Sequence, residues 1–258
     1  MVRSQNIRGT ALIIATIIIF TSFSLPQVHA VTYEDYTTYT EYDGSGTSIT
    51  IGSTTEYTMK IQRTYYFWLL TDKGAGQIPG TMHYRVEFKN NYANLYSTGY
   101  VWGVSNTTGT STIDLPKTDN FIGLAITNND PGKGIRLVTE HDAVESTDVW
   151  YSAVANIWYY CDIIKEGSTV TVNIYTSSDY STTLVDTLTV TTTHTGPWRY
   201  LWASSSTYQG GIARLQTANV AKLSFIPDEG RQLINYTWLL ILSPAIFGGL
   251  WMVTRRKN

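Results

Sequence analysis

Three acids in EHDAVE (140–145) are spaced for chemistry: Glu140, Asp142 and Glu145. Two carboxylates about 5–5.5 Å apart across a glycosidic bond can cleave it with retention, one as nucleophile and one as acid/base. Glu140, Asp142 and Glu145 are the candidates for those two roles. The geometry is conditional. Side chains alternate along a strand, so Glu140 and Asp142 share a face. Glu145 falls on the other face unless a β-bulge intervenes. The same residues also fit a hairpin end, with IRLVTE and VWYSAV as strands and the acids solvated between them. No second constellation offers catalysis. His29, His83, His141 and His194 are scattered, and HExxH, CxxC and GxSxG patterns do not occur.

Other residues are suited to binding. A sugar ring has an apolar face and hydroxyl edges, which an aromatic platform with polar neighbours can hold. In PWRYLWA, alternation puts Trp198, Tyr200 and Trp202 on one face and Arg199, Leu201 and Ala203 on the other. Tyr100 and Trp102 form a similar pair in GYVWGV, and Tyr208 lies in the loop STYQGG. Rings of this size more often fill a core than a site. Asp72 and Asp130 are loop acids that could offer oxygens to a structural calcium ion. Asp also suits turns for its own reasons, so no metal is assigned. Asn106 and Asn235 open glycosylation sequons. The lone Cys161 excludes an intramolecular disulfide and reads as a buried core residue.

The elements that must position these residues are strands. Between residues 31 and 230, Thr, Val, Ile and Tyr runs are punctuated by Gly, Asn, Asp and Pro, with no helical periodicity. Strands are expected near 47–51, 56–61, 64–70, 81–88, 98–105, 121–127, 134–139, 148–155, 157–165, 169–175, 183–191, 198–204 and 217–225. Hairpin turns are expected at NNDPGKG (128–134) and KEGS (165–168), and a loop at SSDYST (177–182). Turn signals every 8 to 12 residues suggest a sandwich or barrel. YYFWLL and PWRYLWA are apolar on both faces and should be central.

The ends read differently. Residues 1–30 carry Arg3 and Arg8, an apolar run and a Val28-His29-Ala30 ending, the pattern of a secretory signal peptide. Residues 233–253 carry no charge and are followed by Arg255, Arg256 and Lys257. That length spans a bilayer, and the basic residues set a cytoplasmic tail at 254–258. The expectation is a type I single-pass surface protein with 31–232 outside and a stalk at 227–232. The outer part holds all 20 acidic residues and 13 of the 18 basic ones, a net charge of −7. That balance argues against nucleic acid as a partner.

Several segments resemble known families. EHDAVE resembles the catalytic strand of family 16 glycoside hydrolases, although His141 stands where that motif has an aliphatic residue. NIWYYCDIIKEGSTVTVNIYTSSDYSTTLVDTLTV (156–190) and PWRYLWASSS (197–206) resemble concanavalin A-like, laminin-G-like jelly-roll domains. DYTTYTEYDGSGTSITI (35–51) and TDKGAG (71–76) resemble their opening strands. The likeness covers roughly 33–226. It implies an all-β, two-sheet antiparallel sandwich at 31–226, of the kind displayed on microbial, archaeal and viral surface proteins. It also implies non-catalytic binding of a glycan or surface partner. A family 16-like hydrolase and a structural envelope component are the alternatives. EHDAVE falls at a variable hairpin of the jelly-roll pattern.

Overall fold

The segment TVTVNIY shows how the sequence builds its sheets. Val170, Val172 and Ile174 are buried, while Thr169, Thr171, Asn173 and Tyr175 are not. One face is therefore core and the other is wet. The computed structural model describes residues 31–43, 48–62, 67–91, 98–108, 120–129, 132–141, 144–206 and 215–227. The expected leader, membrane span and tail lie outside the described residues. Among the described residues no helix is long and apolar enough to cross a membrane.

The strands are β1 (Thr32–Tyr33), β2 (Thr40–Asp43), β3 (Ile49–Ser53), β4 (Glu56–Gln62), β5 (Phe67–Asp72), β6 (Met82–Asn90), β7 (Thr98–Ser105) and β8 (Phe121–Asn129). They continue as β9 (Gly132–His141), β10 (Val144–Ser152), β11 (Trp158–Glu166), β12 (Thr169–Tyr175), β13 (Leu184–Thr191), β14 (Tyr200–Ser206) and β15 (Leu215–Phe225). A 3-10 turn at Tyr36–Thr38 is capped by Asp35, whose side chain accepts the Thr37 N–H. Each expected strand has a counterpart. The short strands β1 and β2 have no counterpart among the strands expected from the residue pattern, although β2 falls within 35–51, the segment likened to the opening strands.

All pairings are antiparallel. One sheet has eight strands in the order β13-β12-β11-β6-β15-β4-β3, with β1 also on β15. The other has seven, β10-β9-β8-β7-β14-β5-β2. The two pack face to face. Phe67, Trp102, Leu124 and Leu201 of the seven-stranded sheet meet Met59, Phe88, Tyr159 and Val172 of the other in one buried cluster. Tyr57 reaches across it to donate its hydroxyl to Ala203 O at 2.5 Å. Truncating a ring in such a core costs about 3–5 kcal/mol.

β7 is buried throughout and β14 nearly so, as central strands must be. β5 differs from expectation. It lies next to the edge strand β2, and Trp68 on it is only half-buried. Turn chemistry is as expected at β11–β12, where Gly167 opens a two-residue turn with φ +55°. Asn129 at the end of β8 pairs with Gly132 at the start of β9.

Candidate binding surface

A strand central to a two-layer sandwich has an inner face and an outer one. On the seven-stranded sheet Leu69, Val101, Leu137 and Ala203 point into the core between the sheets. Leu70, Tyr100, Phe121, Ala125, Val138 and Trp202 form a second apolar cluster, with Trp68 and Tyr200 packed against it. By alternation this second cluster is the outer face of that sheet.

The register orders the outer face into rows. Tyr42 pairs with Trp68, Trp68 with Ser205, and Ser205 with Tyr100. The row continues through Ala125 and Arg136 to Trp150. Its two ends are open to solvent: Tyr42 is 38% exposed and Trp150 40%. Tyr42 and Trp68 stack with centroids 4.0 Å apart and planes at 13°. Trp150 lies against Gly134, where a Cβ would come within 2.5 Å of the indole. Tyr42, Trp68 and Trp150 are absent from the residues expected to bind. Tyr42 belongs to a strand that the residue pattern did not mark, and Trp150 has no aromatic neighbour at i±2 to mark its face.

A second row runs Asp72, Tyr200, Ser105 and Phe121, and the same register leads on to Glu140 and Glu145. Tyr200 is half-buried, with the Arg199 guanidinium 4.9 Å from its ring centroid. Arg199 in turn grips Asp72, Nη2 to Oδ2 at 2.7 Å and Nε to Oδ1 at 3.0 Å. Both groups are near half-exposed, so the pair orients more than it stabilises. The hydrogen bonds from Arg199 and from the Gly74 N–H hold the Asp72 carboxyl below the usual carboxylate range.

The expected aromatic platforms need correction. Trp198 does not share a face with Tyr200 and Trp202. It precedes β14, bridges Ile78, and is buried in the core between the sheets 4.2 Å from His194. Tyr100 and Trp102 are also split. A register shift between them leaves Tyr100 on the outer face, edge-on to Phe121, and turns Trp102 into the core. Trp202 is on the outer face but wholly buried, its Nε1–H donating to Ser105 Oγ at 2.7 Å. Trp198, Trp102, Trp202 and Tyr100 therefore offer no ring face to solvent, whereas Tyr200 does. Tyr208 lies outside the described residues.

EHDAVE does not lie along one strand. β9 ends at His141 and β10 begins at Val144, with those two residues paired and Glu140 paired to Glu145. The chain reverses inside the motif. Asp142 lies outside the described residues, and the two glutamates are placed by backbone register alone. The β-bulge that a one-strand presentation would need is thus replaced by a hairpin.

Asp130, Asn235 and the acids beyond residue 227 lie outside the described residues. Among the described residues no three His, Cys, Asp or Glu side chains converge as metal ligands. Asp72, the remaining calcium candidate, is taken by Arg199 and Gly74. Asn106 is half-buried at the end of β7, its amide nitrogen 3.2 Å from His194 Nε2. The atom that would carry a glycan is therefore already engaged.

No family model matches the chain, and no curated protein does. Solved structures match its fold. The legume lectin-like domain from Entamoeba histolytica is 15% identical, with a TM-score of 0.50, over 73% of this chain and 89% of that one. The fold is the concanavalin A-like, legume-lectin-like jelly roll. The VIP36 exoplasmic/lumenal domain in its Ca2+/Man2-bound form is 10% identical, with a TM-score of 0.51, over 78% and 91%. The Lotus tetragonolobus seed lectin is 9% identical, with a TM-score of 0.50, over 76% and 97%. At these identities the likeness concerns the lectin-like jelly roll and not the ligand.

Proposed function

We propose that this jelly roll binds carbohydrate, without catalysis, on the outer face of its seven-stranded sheet. The carrying observation is the stack of the exposed Tyr42 on the half-buried Trp68 at one end of the row, with the exposed Trp150 at the other end. Stacked and half-exposed rings present apolar faces to sugar rings, and Tyr200, Arg199 and Asp72 supply polar neighbours. The VIP36 neighbour, solved with Man2, supports a glycan as the ligand class.

The chain would do this at a cell surface. Residues 1–30 would direct export, and 233–253 would anchor the protein with 31–232 outside. A surface protein remains a partner of the same display.

A glycan array probed with the full chain in a sugar-free detergent tests the reading. Binding to a defined glycan is expected. Trp68→Ala should abolish most of it, and Tyr42→Ala should weaken it by about 0.5–1.5 kcal/mol. Binding that ignores both substitutions would place the site elsewhere.

The register also favours a second reading. Glu140 and Glu145 oppose each other across a hairpin, in the row that holds Phe121 and Tyr200. A retaining hydrolase would release reducing sugar from β-glucan, and Glu140→Gln would stop it. Unchanged polysaccharide after long incubation rejects that reading.

A further inference from the structure

The outer face of the eight-stranded sheet carries a built groove of its own. Trp158, Lys89, Asn219 and Thr58 are successive cross-strand partners over β11, β6, β15 and β4. In the next row Tyr160, Glu87, Ala221 and Glu56 follow one another over the same strands. Ala221 and Gly52 supply almost no bulk, so the face is hollowed there. The hollow is about 120 Å³, lined by Trp158, Thr58, Asn219, Glu56, Ala221 and Gly52.

Its lining selects a ligand class. The half-buried Trp158 indole gives an apolar wall. Lys89 Nζ already stands 5.5 Å from that ring's centroid, so the indole has its cation. The Asn219 amide is oriented by donation to Thr58 Oγ1 at 3.1 Å, and an amide has further donor and acceptor capacity. Glu56 adds an exposed acceptor. Glu87, in the row beside it, is neutralised by Lys222 at 3.2 Å. An anion would meet Glu56. A purely apolar ligand would desolvate Glu56 and Asn219 without replacing their hydrogen bonds. A small, flat, uncharged and hydroxyl-rich ring satisfies each group.

We propose that this groove is a second carbohydrate subsite, taking one uncharged hexopyranose unit with its apolar face on Trp158 and hydroxyls on Asn219, Thr58 and Glu56. It lies on the sheet opposite the Tyr42–Trp68 surface and stands or falls independently of that surface. One ring in so small a hollow binds weakly, in the millimolar range. Two subsites on opposite faces would let one domain bridge two glycan chains, with avidity set by spacing.

The test labels the indole nitrogens of the full chain with 15N, in a sugar-free detergent, and assigns Trp158 by its loss in Trp158→Phe. The probes are methyl α-mannopyranoside, methyl β-galactopyranoside and methyl β-glucopyranoside. The Trp158 signal should shift saturably with at least one probe. Asn219→Ala should weaken that response tenfold or more, with the Trp68 signal unaffected and the other indole signals in place. A Trp158 signal that ignores all three sugars overturns the subsite, as does one indifferent to Asn219→Ala. Shifts that follow protein concentration in place of sugar also overturn it, and assign the groove to a second copy. The Trp68 signal reports the other face separately, so each reading has its own outcome.

Discussion

Asp162 accepts the Arg85 Nε–H at 2.8 Å and lies 2.6 Å from His83 Nε2. Burial alone would raise its pKa. The hydrogen bonds and charges of His83 and Arg85 outweigh burial and hold the carboxyl below its ordinary 3.8. A depressed carboxylate stabilises the fold above its unfolded-state pKa and loses that contribution as pH falls through the folded-state value. Asp162→Asn should therefore cost about 1.5–3 kcal/mol at neutral pH, the range for a charged hydrogen bond. Urea titrations should show the gap between variant and wild type shrinking as pH falls below 3.8. A gap that persists unchanged at lower pH would remove the ion pair from the account. The neighbouring Cys161 is wholly buried, and desolvation pushes its thiol far above the usual range. Iodoacetamide should label it only after denaturation. Labelling of the folded protein at the rate of a free thiol would show that the core opens there.

At the scale of elements, one inserted residue decides which rings enter the core between the sheets. In β7 the shift between Tyr100 and Trp102 makes Val101 the extra residue, and both Val101 and Trp102 enter the core. Without it GYVWGV would have put Tyr100 and Trp102 on one side. The paired glycines Gly103 and Gly123 on β7 and β8 have an equally local purpose. A Cβ on Gly123 would come 2.3 Å from a Phe121 ring carbon and 2.8 Å from Tyr100. The Phe121 ring lies in the space these two glycines leave. Gly123→Ala should destabilise the domain by about 1–3 kcal/mol, as overpacking does. Chemical denaturation measures this, and a neutral result would mean that Phe121 swings away freely.

At the scale of the molecule, the chain enters and leaves the sandwich side by side. Thr32 pairs with Phe225 and Tyr33 with Ser224. The two apolar terminal segments therefore attach to neighbouring strands of one sheet. If 233–253 is the anchor, a chain ended at residue 232 should appear in the aqueous fraction. The full chain should stay with membranes through an alkaline carbonate wash. Equal partitioning of the two would remove the anchor from the proposal. The rows also belong to this scale. Tyr42 and Trp150 are 108 positions apart in sequence and stand at opposite ends of one row across seven strands.

Much of the fold was legible because strand formation is local. Alternation in TVTVNIY, turn residues such as Gly167, and the jelly-roll likeness of 156–206 all precede any knowledge of which strands pair. Within single strands, the facing of Val170, Val172 and Ile174 followed from period-two geometry alone. The candidate sites were far less legible. Trp198, Trp102 and Trp202 stood out as aromatic residues, but whether a ring is buried depends on strands distant in sequence. Bulges then reassign faces, as they do for Tyr100 and Trp102. The surface that remains is set by cross-strand partners. It unites Tyr42, Trp68 and Trp150 on one sheet and Trp158, Asn219 and Glu56 on the other. The sequence by itself determined most of the strands and turns, because those depend on neighbours along the chain, and its jelly-roll likeness implied the two-layer class. Only the tertiary structure decided which aromatic rings meet solvent and which residues share a row, because register and sheet order are properties of pairs far apart in sequence.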